Sequence, residues 1–217
     1  MKFFYKLELK YGKYAIQNLM TYLTALYAAG LVISLMLPNV YYQYLCLDPG
    51  MILRGQIWRI ITWLMYPPSS GILFGALMLF TYYSIGTNLE RIWGSFRFNV
   101  FIFSGIIFHI IAAFIIYAIS RTTGEMLLLT PSSLNMSLLL AFIATFPDAQ
   151  FRLYFFIPIK ASWLGIFYVA LTLVNFFVGG PAEKVEIALS LLNVALYMAM
   201  TGKWSQIINN VKNKIKK

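Results

Sequence analysis

The chain has 217 residues, 60% of them hydrophobic and 11% charged, with a formal net charge of +10. Those proportions exclude a soluble protein of ordinary composition, and apolar runs separated by short polar punctuation indicate a bilayer as the solvent. The lone Cys46 excludes an intrachain disulfide and a cysteine-built metal site, and it reads as a small apolar side chain near the membrane surface. No residue pattern calls for a metal or a cofactor.

Residues 1–19 form a basic amphipathic segment. Lys2, Lys6, Lys10 and Lys13 recur every three or four residues opposite Phe3, Leu7, Tyr11 and Tyr14. That pattern suits a helix lying at an anionic headgroup surface, and it serves equally as a plain topology anchor. The first apolar run starts only after these lysines and is long enough to span, so it reads as a retained helix and not a cleaved signal.

A membrane domain follows over residues 20–201, with six expected spans. They run Met20–Leu37, Ile72–Leu89, Phe98–Ile119, Ser133–Phe146, Ala161–Val178 and Val185–Thr201. Pro38 and Pro147 close the first and fourth, and Gly179, Gly180 and Pro181 end the fifth. The fold class is therefore an all-α, polytopic bundle. Residues 202–217 form a second basic segment, with Trp204, Ile207, Ile208, Val211 and Ile215 set among lysines.

With six spans, the Lys- and Arg-rich segments fall on the side of the two termini, against only Arg54, Arg59, Arg121 and Lys184 opposite. Because positive charge concentrates on the cytoplasmic side, both termini are expected there. The charge is thus a topology signal, and no nucleic-acid partner is needed to explain it.

The connection from Asn39 to Ser70 is too apolar and aromatic for a soluble excursion. It should fold on or partly into the outer leaflet with short helices of its own, because unsatisfied backbone cannot face lipid. Within it lies GQIWRIITWLMYP, Gly55 to Pro67. Trp58 can anchor at headgroup level, while the five-donor fork of Arg59 needs carbonyls or a carboxylate in a half-buried loop. At the far end of the second span is GTNLERIWGS, where Gly86, Glu90 and Gly94 share a helical face, with Ser95 next. The glycines permit close helix approach, and the carboxylate can pair with an arginine or cap a neighbouring helix start.

These two patterns and the run AFIATFPDAQFRLYFFIPIKASWLG, Ala141 to Gly165, resemble the rhomboid superfamily over about residues 18–201. The resemblance implies a six-helix rhomboid-like bundle with an interfacial loop between its first two helices. Active rhomboids carry a serine in Gly-x-Ser-Gly at the start of the fourth span and a histidine in the sixth, because a hydroxyl attacks only when a base takes its proton. Here Thr130, Pro131, Ser132 and Ser133 fall where that motif would lie, with both motif glycines replaced. These serines read better as a helix cap or turn. Ser190 falls near the position of the family's histidine, and the family's His and Asn of the second span have no counterpart between Pro67 and Thr87. A Ser-Lys dyad would need Lys160 or Lys184, both at span ends.

His109, the one histidine of the chain, lies mid-span in the third helix. An intramembrane histidine is a functional candidate by default. The expectation is nonetheless a neutral ring bonded between helices or to Ser104, away from the fourth-span hydroxyls. No catalytic residue is assigned on that basis.

The resemblance to inactive relatives, derlins among them, implies a rhomboid-like pseudoprotease that recognises transmembrane segments of other membrane proteins, for quality control, trafficking or retrotranslocation. Anionic lipid headgroups are the second expected partner. A fourth span of about fourteen residues should leave a recess open outward or thin the bilayer. Asn135, Ser137 and Asn193 are candidates to line it, although ordinary helix–helix contacts would use the same residues. The alternatives are an intramembrane serine protease with a non-standard site, and a small transporter or channel. The expected location is the bacterial cytoplasmic membrane, with the endoplasmic reticulum as alternative.

Overall fold

The computed structural model describes residues 2–37, 39–66, 71–123, 129–153 and 157–201. Helix α1 (Lys2–Tyr11) and a 3-10 turn (Gly12–Tyr14) precede α2 (Leu19–Met36). The chain enters α2 through Asn18 in the left-handed region, φ 54°. The basic tail expected after residue 201 lies outside the described residues.

The interfacial loop has its own short helices, as its composition demands. A π-helical turn (Tyr41–Leu45) leads to α3 (Pro49–Leu53), which Asp48 caps by accepting from the Met51 N–H at 3.1 Å. Next come α4 (Arg59–Thr62) and a 3-10 turn (Trp63–Met65). The loop packs into the bundle: Leu47, Trp63 and Leu64 are buried. At Gly30 of α2 it comes closest, because a Cβ there would collide with the Met65 backbone carbonyl.

Helices α5 (Ile72–Trp93) and α6 (Ser95–Thr123) are joined by Gly94 alone. Its φ of 81° is a positive value that glycine, lacking a Cβ, adopts at least cost. Then follow α7 (Ser132–Thr145), α8 (Ala161–Val178) and α9 (Pro181–Thr201). Between α7 and α8 the chain forms a short antiparallel hairpin, β1 (Gln150–Leu153) against β2 (Ile157–Lys160). This strand pair is a short connector within a fold that is otherwise helical among the described residues, the all-α class that the sequence led one to expect. An isolated connector satisfies its backbone groups by pairing with itself.

Each of the six expected spans coincides with a helix. Among the described residues, four of these are long and apolar enough to cross a membrane: Leu19–Met36, Ile72–Trp93, Ser95–Ile119 and Lys184–Thr201. At 14 residues α7 is only about 21 Å long, against a hydrocarbon core of roughly 30 Å. It occupies the interior, with Ser133, Leu134, Ser137, Leu138, Ala141 and Phe142 buried.

The core joins α2 to α5, and α9 to both α6 and α7. At one end Trp93 stacks on Tyr197, ring centroids 4.5 Å apart. The Thr145 hydroxyl bridges the same two residues, 2.9 Å from the Tyr197 hydroxyl and 3.3 Å from the Trp93 Nε1 donor. Helix α8 packs against α9 and α7 but turns much of its surface outward. From Ile166 to Val178 every residue is exposed except the half-buried Tyr168 and Thr172, while the buried Gly165 lies against Ile143 of α7.

Candidate functional site

The centre of the bundle holds a polar set that α6, α7 and α9 bring together. His109 points inward from α6 and is 2% exposed. Its Nδ1 lies 2.7 Å from the carbonyl of Gly105, one turn earlier. A carbonyl only accepts, so Nδ1 carries the proton and Nε2 is left as the acceptor. That acceptor receives a hydrogen bond from the hydroxyl of Ser133, in the first turn of α7, which is 1% exposed. The indole of Trp63 stacks on the imidazole, with centroids 5.1 Å apart and planes at 29°.

This placement corrects the expectation that His109 stays clear of the fourth-span hydroxyls. Ser104, its expected partner, instead donates to the Phe101 carbonyl at 2.9 Å and to Asn193 Oδ1 at 3.2 Å. The physical reason is Gly105. A Cβ there would meet the Leu134 side chain and, at 2.9 Å, Asn193 Nδ2, so the glycine lets α7 and α9 press against α6 just where the imidazole emerges.

Chemically, a neutral imidazole accepting from a serine hydroxyl is the arrangement that general-base activation requires. Its orienting partner here is a backbone carbonyl and not a carboxylate. Equally, it is how a membrane bundle satisfies two polar side chains that lipid cannot solvate.

Ser132 belongs to a different cluster. Glu186 of α9 accepts from its hydroxyl at 2.5 Å and from the Thr130 N–H and hydroxyl at 2.8 Å each. The carboxylate therefore ties the turn that leads into α7 to α9, and it lies at the end of the helix where the dipole favours negative charge. Pro131 is the residue that leads into the helix. Sequence reasoning missed Glu186 because a carboxylate at a span edge looks like ordinary surface; the signal was a Thr-Pro-Ser-Ser turn whose hydroxyls and Thr130 amide need an acceptor.

The residues expected to line an open recess are packed and paired internally. Asn193 Nδ2 donates to Ser137 Oγ at 2.9 Å, and Ser137 donates to the Leu134 carbonyl at 2.8 Å. Ser190 donates along its own helix to Ile187, also at 2.8 Å. Asn135 Oδ1 accepts from the Tyr27 hydroxyl at 2.9 Å. Ser137, Ser190 and Asn193 are fully buried.

The family-like motifs hold the frame. Arg59 is 1% exposed and donates to the carbonyls of Cys46 and Gln43 and to Gln56 Oε1, the last at 2.7 Å. Trp58 is half exposed and donates to the Tyr44 carbonyl at 3.1 Å. Glu90 is buried and caps α2 through the Leu19 and Met20 N–H groups, while Ser95 donates to it at 3.1 Å. Gly86 lies against Met20. In the loop, burial pushes the Cys46 thiol up, with the nearby Arg59 guanidinium pulling the other way. Among the described residues no group of three or more His, Cys, Asp or Glu could hold a metal ion.

Residues 17–202 match the family described as eukaryotic integral membrane protein (DUF1751). No curated protein and no solved structure matches the chain. The family match corrects the expected bacterial cytoplasmic membrane: the relatives that define it are eukaryotic integral membrane proteins.

Proposed function

We propose that this chain, which belongs to the family of eukaryotic integral membrane proteins (DUF1751), is a rhomboid-like protein without proteolytic activity that binds transmembrane segments of other membrane proteins. The reading is supported by the Trp58-Arg59 and Gly86/Glu90/Gly94-Ser95 patterns, by six helices in the expected order, and by the short central α7. Quality control or trafficking of membrane proteins is the role this implies.

One observation carries it: the centre of the bundle is shut while its α8 side is open. Ser133 and His109 are almost wholly buried, so neither a peptide nor water reaches the hydroxyl without a rearrangement of Trp63 and the surrounding helices. By contrast α8 offers a broad apolar surface with a single polar side chain, Asn175, among Leu173 to Val178. An unstable guest helix carrying one polar group gains an interhelical hydrogen bond there, worth about 1 kcal/mol in a bilayer.

Crosslinking from a photo-reactive residue at Phe167 or Leu171, compared with one at the buried Leu138, tests this reading in native membranes. Single-span proteins captured only from α8 support it, and lipid alone at both positions overturns it.

The Ser133–His109 bond favours a second reading, a serine hydrolase. Fluorophosphonate labelling that is lost in Ser133→Ala and kept in Ser132→Ala would establish it. Absence of labelling in the wild type leaves the first reading standing.

A further inference from the structure

The N-terminal segment does not lie loosely on the bundle. Arg97 of α6 grips Glu8 of α1 through Nε and Nη2, at 3.1 and 2.9 Å. Asn99, two residues on, bonds both backbone groups of Ile16, donating to its carbonyl at 2.8 Å and accepting from its N–H at 2.9 Å. Between these fixed points a cavity of about 410 Å³ opens outward. Tyr11 and Tyr14 line one wall, and Phe96, Val100, Phe103 and Ile107 the other.

The shape has a direction. Phe96, Val100, Phe103 and Ile107 form one stripe down α6, about 16 Å long at 1.5 Å per residue, which starts at the helix end beside the N-terminal segment. The polar groups along it are already used: Asn99 on Ile16, and Ser104 on Phe101 and Asn193. An occupant of this stripe therefore needs hydrocarbon and no hydrogen-bonding groups. Beside the tyrosine wall the chemistry reverses. The Lys10 ammonium sits 5.1 Å from the centroid of the Tyr11 ring, and the Lys13 ammonium 4.9 Å from that of Tyr14. Both lysines are exposed, and Glu8, the nearby carboxylate, is taken up by Arg97.

We infer that this groove is a specific site for one anionic phospholipid of the surrounding membrane, with an acyl chain along the α6 stripe and the phosphate between Lys10 and Lys13. Charge selects the occupant. The basic tail of this chain, with Lys203, Lys212, Lys214, Lys216 and Lys217, carries the same sign as Lys10 and Lys13 and offers them no complementary charge. A zwitterionic lipid fits the stripe but offers the lysines no net charge. Each lysine adds attraction to an anionic surface, and holding the ammonium groups against aromatic rings reduces the freedom lost on binding.

The test is native mass spectrometry of the full-length protein in uncharged detergent, titrated with dioleoylphosphatidylserine or dioleoylphosphatidylcholine. The wild type should retain one phosphatidylserine at about tenfold lower concentration than phosphatidylcholine. Lys10→Gln/Lys13→Gln should bring the two lipids to about parity. Ile107→Trp, at a half-exposed position on the stripe, should remove the retained lipid. Equal retention of both lipids by the wild type overturns the inference, as does wild-type selectivity in the lysine variant. Should Ile107→Trp disturb the fold, its melting temperature will show it, and the lysine variant, altered only at exposed side chains, decides alone.

Discussion

Glu90 on α5 closes the start of α2: its two oxygens accept from the N–H of Leu19 at 3.3 Å and of Met20 at 3.4 Å. The side chain is 7% exposed and also takes the Ser95 hydroxyl. Glu90→Ala leaves those buried donors without an acceptor and should destabilise the protein by about 1–3 kcal/mol. Glu90→Gln keeps one acceptor oxygen and should lose less. Thermal melting in detergent checks the order, which an unshifted Glu90→Ala melt would contradict.

Close approach at Gly30 predicts a sharp asymmetry between glycines. Alanine there drives a methyl group into the Met65 backbone, and backbone cannot step aside as a side chain can. Gly30→Ala should cost about 3 kcal/mol. Gly71→Ala, at a helix entry with nothing within 4 Å of the new atom, should melt close to wild type. Equal shifts would show that the loop does not seat against α2.

The buried pair predicts a coupling energy. Ser133→Ala strips the imidazole of its donor, and His109→Phe strips the hydroxyl of its acceptor. Each should destabilise by about 1–3 kcal/mol. The double variant should recover about 1 kcal/mol or more relative to the sum. Additive losses from chemical denaturation would mean that the two side chains do not bond.

Cys46 should be a poor nucleophile. It is buried, and its thiol is pushed above its ordinary range, so at pH 8 less thiolate is present than for a free cysteine. Alkylation by a maleimide should be slow in the folded protein and fast after unfolding. Arg59→Lys replaces a fork serving Gln43, Cys46 and Gln56 with a point donor, so the loop should loosen and Cys46 labelling should quicken. Fast labelling of the wild type would contradict the packing of this loop.

Much of the frame was legible because it rests on local rules. Apolar runs stopped by Pro38, Pro147 and the Gly179-Gly180-Pro181 cluster marked helix ends, and the four-residue spacing of Gly86, Glu90 and Gly94 marked a packing face with a capping acid. Arg59 in an apolar loop announced a need for carbonyls. The polar centre was not legible. His109 and Ser133 are 24 residues apart on different helices, and their meeting depends on the close approach of α7 and α9 to α6 at Gly105, which sequence spacing does not encode. Glu186 stayed hidden for the same reason, its partners lying 54 and 56 residues earlier. The hairpin at 150–160 was lost because four-residue strands are too short for an alternation pattern to stand out.

The clasp on the first long helix sets a timetable for its maturation. Its acceptors come late in synthesis: Glu90 lies 71 residues after Leu19, and Asn99 lies 83 after Ile16. At roughly 5–20 residues per second the ribosome needs about 4–14 s to supply Glu90. Until then the amides that open this helix lack their partner, and the nascent chain presents an unfinished terminus to the insertion machinery and its chaperones.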